Sequence, residues 1–325
     1  MKLAVLGAGA WGTALAISLG AQREVCLWTR DAARAADIAA SRSNARYLSG
    51  FSIPESVLVS ADLSACLRGS DLALCAVPVS ALRGLLGELA AFDAPLILAC
   101  KGFERHSGLL PHDVVAAVLQ QHATCVLSGP SFAQEVARGL PTAVVLASAD
   151  MQLAQRVARE LHGPRLRIYS SDDLIGIEVA GATKNVIAIA AGICDGLGLG
   201  LNARAALISR GLAEISRLGL RLGGRSATFM GLAGAGDLVL TCTGELSRNR
   251  TVGLRLAAGA TLPEILASLG HVAEGVSTAH EVSQLAKRLG IDMPITVAVC
   301  KVLEGALSPS AAVSQLMERD PKAEF

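Results

Sequence analysis

Along the first half of the chain, short apolar runs alternate with stretches of helical spacing. The runs Leu3–Leu6, Glu24–Thr29, Ser56–Ser60, Leu72–Val77, Leu96–Ala99, Thr124–Leu127, Ala143–Ala147 and Leu166–Tyr169 read as strands. Between several of them, Gly12–Leu19, Ser80–Leu89 and Val114–Gln121 carry apolar residues at helical intervals. Pro111 stands where a first helical turn tolerates it. Near-continuous apolar strands separated by helices predict a parallel sheet covered on both faces. After about residue 170 the strand signals stop. Ser171 or Asp172 can cap a long helix to about Cys194, and Asn202 another that ends at Gly223-Gly224. Thr261-Leu-Pro-Glu264 reads as a capping box, and helical patterns cover Gly275–Leu289 and Pro294–Glu304.

The length of 325 residues fits two domains. Hydrophobic residues at 52% against 18% charged exclude a disordered chain. A net charge of +1 and 3% aromatic residues leave no footprint for nucleic acid. The mean hydropathy of +0.48 raises the question of a membrane. A span needs about 18 nearly uncharged apolar residues, and the longest candidate, Val179–Ile193, carries Lys184 and Asn185 near its middle. No membrane span is therefore expected. Met1 leads straight into a strand-like run rather than a signal peptide, so a cytoplasmic location is expected. The eight cysteines (Cys26, Cys66, Cys75, Cys100, Cys125, Cys194, Cys242 and Cys300) form no C-x-x-C pair. They are expected as small buried free thiols in a reducing compartment, with no metal site.

The strongest local motif is Gly7-Ala8-Gly9-Ala10-Trp11-Gly12, directly after one strand and opening a helix, with a second strand following. Gly7 permits the tight turn, Gly9 lets a pyrophosphate approach the backbone, and Gly12 allows close helix–strand packing. The helix N-terminus supplies free N–H groups and a positive dipole. The expected architecture is thus an α/β N-terminal Rossmann-type doubly wound sheet, a dinucleotide-binding domain over residues 1–175, plus an all-α C-terminal substrate-binding domain over 176–325. The second strand ends Leu27-Trp28-Thr29-Arg30, with no acid at its tip, although Asp31 follows. An arginine there suits a 2′-phosphate. The reading favours NADP(H), leaves NAD(H) open, and leaves open that Arg30 is a solvated loop residue.

Lys184 lies inside an otherwise apolar helix. A buried ammonium is costly unless paired or neutralised, and a desolvated lysine suits proton transfer; a snorkelling lysine is the alternative. Lys101 follows a buried strand on the edge that faces the ligand crevice in doubly wound folds. Ser128-Gly129-Pro130-Ser131-Phe132-Ala133 is another polar loop after a strand, and each alone fits an ordinary turn. Further on stand Gly234-Ala235-Gly236-Asp237, Thr241 and Ser247-Arg248-Asn249-Arg250. Arginine binds phosphate bidentately, and Asp237 can orient a lysine, while a solvated helix start equally fits Ser247–Arg250.

Taken together and in this order, these motifs resemble the bacterial NAD(P)-dependent sn-glycerol-3-phosphate dehydrogenase family. The matching segments are GAGAWGTALA (7–16), KG (101–102), SGPSFAQEV (128–136), GATKNVIAIAAG (181–192), NARAALISRGLAE (202–214), GLAGAGDLVLTCT (231–243), SRNR (247–250) and AEG (273–275). The resemblance implies reversible reduction of dihydroxyacetone phosphate to sn-glycerol 3-phosphate, for phospholipid synthesis. It implies Lys184 as proton acceptor, tuned and oriented by Lys101 and Asp237. It places Lys101, Gly129, Ser131, Lys184, Asp237, Ser247, Arg248 and Asn249 at the substrate. It places the glycine loop, Ala10, Trp11, Arg30, Lys101, Ala133, Arg248, Val272 and Glu274 at the cofactor, and Thr241 near the substrate as in related eukaryotic enzymes. Ala10 departs from the serine common in the family, which removes a hydroxyl but keeps the backbone N–H. His271-Val-Ala-Glu274 departs where Val or Thr is commoner before the glutamate. A dehydrogenase of a 3-hydroxy acid or sugar-acid phosphate shares the glycine loop but not the Ser-Arg-Asn and Gly-x-Gly-Asp pair. A non-catalytic dinucleotide sensor would not need both lysines and the aspartate. The apolar helical half leaves room for a homodimer.

Overall fold

The structure, a computed structural model, describes residues 1–269 and 273–320. The first part runs β1 (Lys2–Leu6), α1 (Ala10–Gly20), β2 (Glu24–Trp28), α2 (Ala32–Ser41), β3 (Ser43–Asn44), β4 (Leu48–Ser52), β5 (Val57–Ser60), α3 (Leu63–Leu67) and β6 (Leu72–Cys75). It continues α4 (Val79–Glu88), β7 (Leu96–Leu98), α5 (Pro111–Leu119), β8 (Thr124–Ser128), α6 (Ala133–Ala137), β9 (Thr142–Ala147), α7 (Met151–Leu161) and β10 (Leu166–Ser171). Helices follow: α8 (Leu174–Gly196), α9 (Gly200–Arg221), α10 (Ser226–Met230), α11 (Asp237–Thr243), α12 (Arg248–Ala257), α13 (Leu262–Leu269), α14 (Glu274–Leu289), α15 (Pro294–Leu303) and α16 (Pro309–Met317). The chain divides into two units, Met1–Glu104 with Leu109–Glu178, and Arg105–Gly108 with Val179 onward.

In the first unit, each of the eight predicted apolar runs supplies one strand of a sheet ordered β10-β9-β8-β7-β6-β1-β2-β5. The chain builds outward from β1 to β2 and β5, then returns to the other side of β1 with β6. That reversal makes the carboxyl ends of β1 and β6 the topological switch point, where doubly wound sheets bind ligands. Helices bury one stripe against the sheet: α7 places Leu153, Ala154, Val157, Ala158 and Leu161 inward, at helical spacing.

Two expectations need correction. The sheet is not wholly parallel, because β9 runs antiparallel to β8, and β10 then lies parallel to β9. The link from β8 to β9 holds only the five-residue α6. That helix rises about 7.5 Å, about half the length of a strand of about 16 Å, so it does not by itself form the sheet-spanning crossover helix of a parallel unit. The cysteines are not all free: Cys26 on β2 and Cys66 on α3 form a disulfide, with Cα atoms 5.4 Å apart. The two lie 40 residues apart, a spacing that carries no local signal. The other six are buried thiols. Burial pushes Cys75, Cys125 and Cys242 up to about 12, which leaves them protonated and inert at neutral pH.

In the second unit, α8 is buried on every face from Gly176 to Cys194. A helix apolar all round belongs at the centre of a core, and the other helices supply its cover through Ile215, Phe229, Leu238, Val252 and Val299. Among the described residues it is the one helix long and apolar enough to cross a membrane. Glycines set its closest approach to α12: a Cβ on Gly253 would lie 2.0 Å from the Ile189 carbonyl oxygen, and one on Gly192 would lie 2.0 Å from that of Arg250. Buried Glu214 of α9 accepts from the Ile295 and Thr296 N–H groups at 2.6 and 3.1 Å, satisfying the otherwise orphaned start of α15.

Candidate active site

The candidate residues fall into two groups, one in each unit. In the first unit the glycine loop joins β1 to α1 at the switch point. Gly7 has φ +115°, and a Cβ there would meet the Ala76 carbonyl oxygen at 2.8 Å, so both the turn and the close approach after β6 demand glycine. A Cβ on Gly12 would lie 1.9 Å from the Gly7 carbonyl oxygen, which makes Gly12 the contact that seats α1 on the strand.

Gly9 differs from both. Its backbone is extended, at φ −75° and ψ −177°. A Cβ there would meet nothing within 4 Å. The fold does not require glycine at this position, and its absence of a side chain leaves the backbone open to close approach. The α1 N-terminus beside it has no side-chain cap. The Trp11 indole N–H is buried with no partner among the described residues. These features fit a dinucleotide pyrophosphate and leave polar donors for it. Gly9→Ala is expected to change stability by no more than about 1 kcal/mol while weakening cofactor binding at least about tenfold. Gly12→Ala is expected to cost about 1–3 kcal/mol or more by overpacking. Thermal denaturation and cofactor titration of the two variants separate the roles.

Other first-unit residues take their places around this frame. Ala10 is the first residue of α1. Trp11 and Ala133, from α1 and α6, pack against one apolar cluster with Ala14, Leu48 and Val136. Arg30 is exposed just past β2, and Asp31 beside it caps α2 by accepting from the Arg34 N–H at 3.1 Å. The acid after the strand tip thus has a structural task. After β7 and β8, Lys101 Nζ donates to the Gly129 carbonyl at 3.3 Å, and Ser131 Oγ donates to the same oxygen at 2.9 Å. The structure therefore brings Lys101, Gly129 and Ser131 together.

Sequence reasoning missed Arg34 and Asn44. Arg34 donates to the Ala8 carbonyl of the glycine loop and lies 4.2 Å over the Tyr47 ring. Asn44 is buried and donates to the same carbonyl at 3.0 Å and to Thr13 Oγ1 at 2.7 Å. A second arginine four residues after Arg30 was the available signal for Arg34. Nothing local pointed to Asn44, because its contacts come from the β3–β4 hairpin folding back.

In the second unit, Lys184 is 7% exposed in the middle of α8. Its ammonium donates to Asp237 Oδ1 and, at 2.9 Å, to Thr241 Oγ1. The Thr241 hydroxyl in turn donates to the Asp237 carbonyl at 2.6 Å. Asp237 opens α11 directly after a π-helical turn, Leu232–Gly236. Such turns recur at functional sites because they re-aim the residue that follows. A buried charge needs a partner of this kind, so the snorkelling alternative for Lys184 falls.

The Ser247–Arg250 segment starts α12. The Ser247 Oγ caps the helix, accepting from the Arg250 N–H at 3.3 Å. Arg250 is held by Asp195, with Nε 2.9 Å from Oδ2. Asn249 is buried and its Oδ1 accepts from the Gly275 N–H at 3.1 Å, capping α14, of which Glu274 is the first residue. A Cβ on Gly275 would lie 2.7 Å from the Asn185 carbonyl oxygen and 2.8 Å from Asn249 Oδ1. The starts of α12 and α14 therefore meet α8 beside Lys184. Arg248 alone of this segment is exposed. Val272 lies outside the described residues.

Comparison with known proteins bears on both groups. Residues 2–154 match the N-terminal region, and residues 173–314 the C-terminal region, of the NAD-dependent glycerol-3-phosphate dehydrogenase family. A protein of Dechloromonas aromatica named glycerol-3-phosphate dehydrogenase [NAD(P)+] is 58% identical over 328 residues, covering all of both chains. One of the same name from Nitrosospira multiformis is 56% identical over 332 residues, again covering both chains fully. The crystal structure of glycerol-3-phosphate dehydrogenase from Coxiella burnetii superposes with a TM-score of 0.94 at 43% identity, covering 98% of this chain and 99% of that one.

Proposed function

Because the chain belongs to the NAD-dependent glycerol-3-phosphate dehydrogenase family, we propose a residue-level account of how it works. The enzyme catalyses reversible NAD(P)H-dependent reduction of dihydroxyacetone phosphate to sn-glycerol 3-phosphate. The bound nicotinamide supplies the hydride. Lys184, as an ammonium, donates a hydrogen bond to the substrate ketone and polarises it. It then gives its proton to the alkoxide that forms at that carbon; in the reverse direction neutral Lys184 takes the proton back. The observation that carries this reading is the buried ammonium held by Asp237 and Thr241.

Asp237 orients the amine, and Lys101, Gly129 and Ser131 are substrate-binding residues in this account. Arg248 clamps the substrate phosphate, with Ser247 and Asn249 beside it. That two neighbours are buried as helix caps while Arg248 is exposed supports the assignment. Arg248→Ala is expected to raise the KM for dihydroxyacetone phosphate by about tenfold or more, the loss of a charge-assisted pair of hydrogen bonds. An unchanged KM in steady-state assays removes the clamp.

Gly7, Gly9, Ala10, Trp11, Gly12, Arg30, Ala133, Val272 and Glu274 serve the cofactor in this account, together with Lys101 and Arg248. NADP(H) is favoured and NAD(H) accepted, since Asp31 is engaged as a helix cap and Arg30 stands exposed at the strand tip. Following the reduced-nicotinamide absorbance with dihydroxyacetone phosphate and each cofactor in turn tests the reading. Activity with both and a lower KM for NADPH is the expected result; loss of signal only with a different ketone sinks the substrate assignment. The substrate-binding role of the helical unit, the cytoplasmic location and a homodimer belong to the same proposal. Leu201 and Met230, 70% and 71% exposed, are apolar side chains that a second copy would cover.

A further inference from the structure

Three side chains that the reaction does not use converge on the helical unit. His280 stands on α14, and Cys300 and Glu304 stand four residues apart at the end of α15. Their ligand atoms all lie within 4.8 Å of one another. Cys300 Sγ is 3.3 Å from Glu304 Oε1, and His280 Nδ1 is 3.3 Å from the same oxygen. Tetrahedral ligands at zinc distances of about 2.0–2.3 Å lie roughly 3.3–3.8 Å apart, so these contacts already have the length of coordination edges. We propose that His280, Cys300 and Glu304 form a zinc site that ties α14 to α15.

The donor set selects the metal: one thiolate, one imidazole and one carboxylate suit Zn²⁺ and are poor for Mg²⁺ or Ca²⁺. Solvent fills the fourth position, since His280 and Glu304 are about half exposed. The surroundings supply an orienting partner. The Gln284 amide lies 2.7 Å from His280 Nε2. With the metal on Nδ1, the ring carries its proton on Nε2 and donates it to the Gln284 amide oxygen after rotation of that amide. An exposed His280–Glu304 ion pair alone contributes little stability and gives no reason for the sulfur to be there.

Cys300 is a buried free cysteine whose thiol proton must leave before the sulfur can ligate. Zinc binding releases that proton to solvent and leaves the thiolate as ligand. The short-spacing rule used on the sequence could not find this site, because only one ligand is a cysteine and the other helix supplies the histidine.

The test uses the full-length protein stripped by chelation, with Zn²⁺ partitioned against a chromophoric chelator. One equivalent is expected to bind in the unsubstituted chain. His280→Ala and Cys300→Ser are each expected to weaken it by more than the ~10–100-fold that loss of an outer partner costs. Because His280 is exposed, its variant reports on binding even where Cys300→Ser perturbs packing. Co²⁺ in place of Zn²⁺ is expected to give a thiolate charge-transfer band that Cys300→Ser abolishes. Absence of a one-equivalent step, affinity unchanged in His280→Ala, or a cobalt spectrum without the thiolate band overturns the site.

Discussion

Lys184→Ala is expected to lower kcat by about 10²–10⁴, or roughly 3–5 kcal/mol of barrier, with cofactor affinity near that of the unsubstituted enzyme. The expectation follows from placement. Lys184 is the basic side chain in the fully buried stretch of α8 from Gly176 to Cys194, and its ammonium is fixed by two acceptors from a single helix, α11. The Asp237 carboxylate and the Thr241 hydroxyl lie one turn apart, so together they set the direction of Nζ as well as its charge. A lysine held in this way needs no reorganisation when negative charge develops on the substrate oxygen. A purely structural role for the ion pair also predicts some loss, through misfolding. Rescue separates the two: small primary amines added to Lys184→Ala should restore part of the turnover if a proton donor is missing. No rescue, with a cooperative thermal transition retained, or turnover near normal, sinks the assignment.

Asp237→Asn is expected to destabilise the fold by about 3–5 kcal/mol, the cost of leaving a buried charge without its counter-ion. Asp237 is 1% exposed and Lys184 7%, so water offers little relief to either partner. The asparagine keeps the shape and one acceptor, which makes loss of charge the principal change. Denaturant titration measures the effect as a lower midpoint with unchanged slope. Turnover should fall while the KM for dihydroxyacetone phosphate moves little, because Asp237 acts through Lys184 in this account. A stability change under 1 kcal/mol would show that Lys184 does not depend on this carboxylate.

Much of this arrangement was legible in the sequence, and physical reasons separate what was from what was not. Strands buried on both faces must be apolar throughout, so β1, β6, β7 and β8 announced themselves as runs, while β5 and β10 at the sheet edges alternate buried and exposed positions yet keep enough apolar residues to read as strands. The β3–β4 hairpin did not: β3 is two residues long and β4, Leu-Ser-Gly-Phe-Ser, is mostly exposed. Lys184 stood out because a charge inside an apolar helix is costly enough to need a reason. Asp237 could be singled out as a group able to orient a lysine, but no local pattern showed that it and Thr241 meet Lys184, since both are more than 50 residues away. The Cys26–Cys66 pairing, the reversal at β9 and the Asn44 contacts depend on how distant segments fold together. No local pattern encodes them. The glycine loop lies between these cases. Its motif was readable, but only the structure separates Gly7 and Gly12, which the fold requires, from Gly9, which it does not.

The complete burial of α8 also constrains how the enzyme can move. Backbone amides around Lys184 open to solvent only when the helical core itself opens, so their exchange follows global unfolding rather than local fraying. The proposed proton donor is therefore carried on a segment buried throughout. Movement at substrate entry and product release is then expected in the less enclosed segments, such as the exposed side chain of Arg248, rather than in this buried stretch.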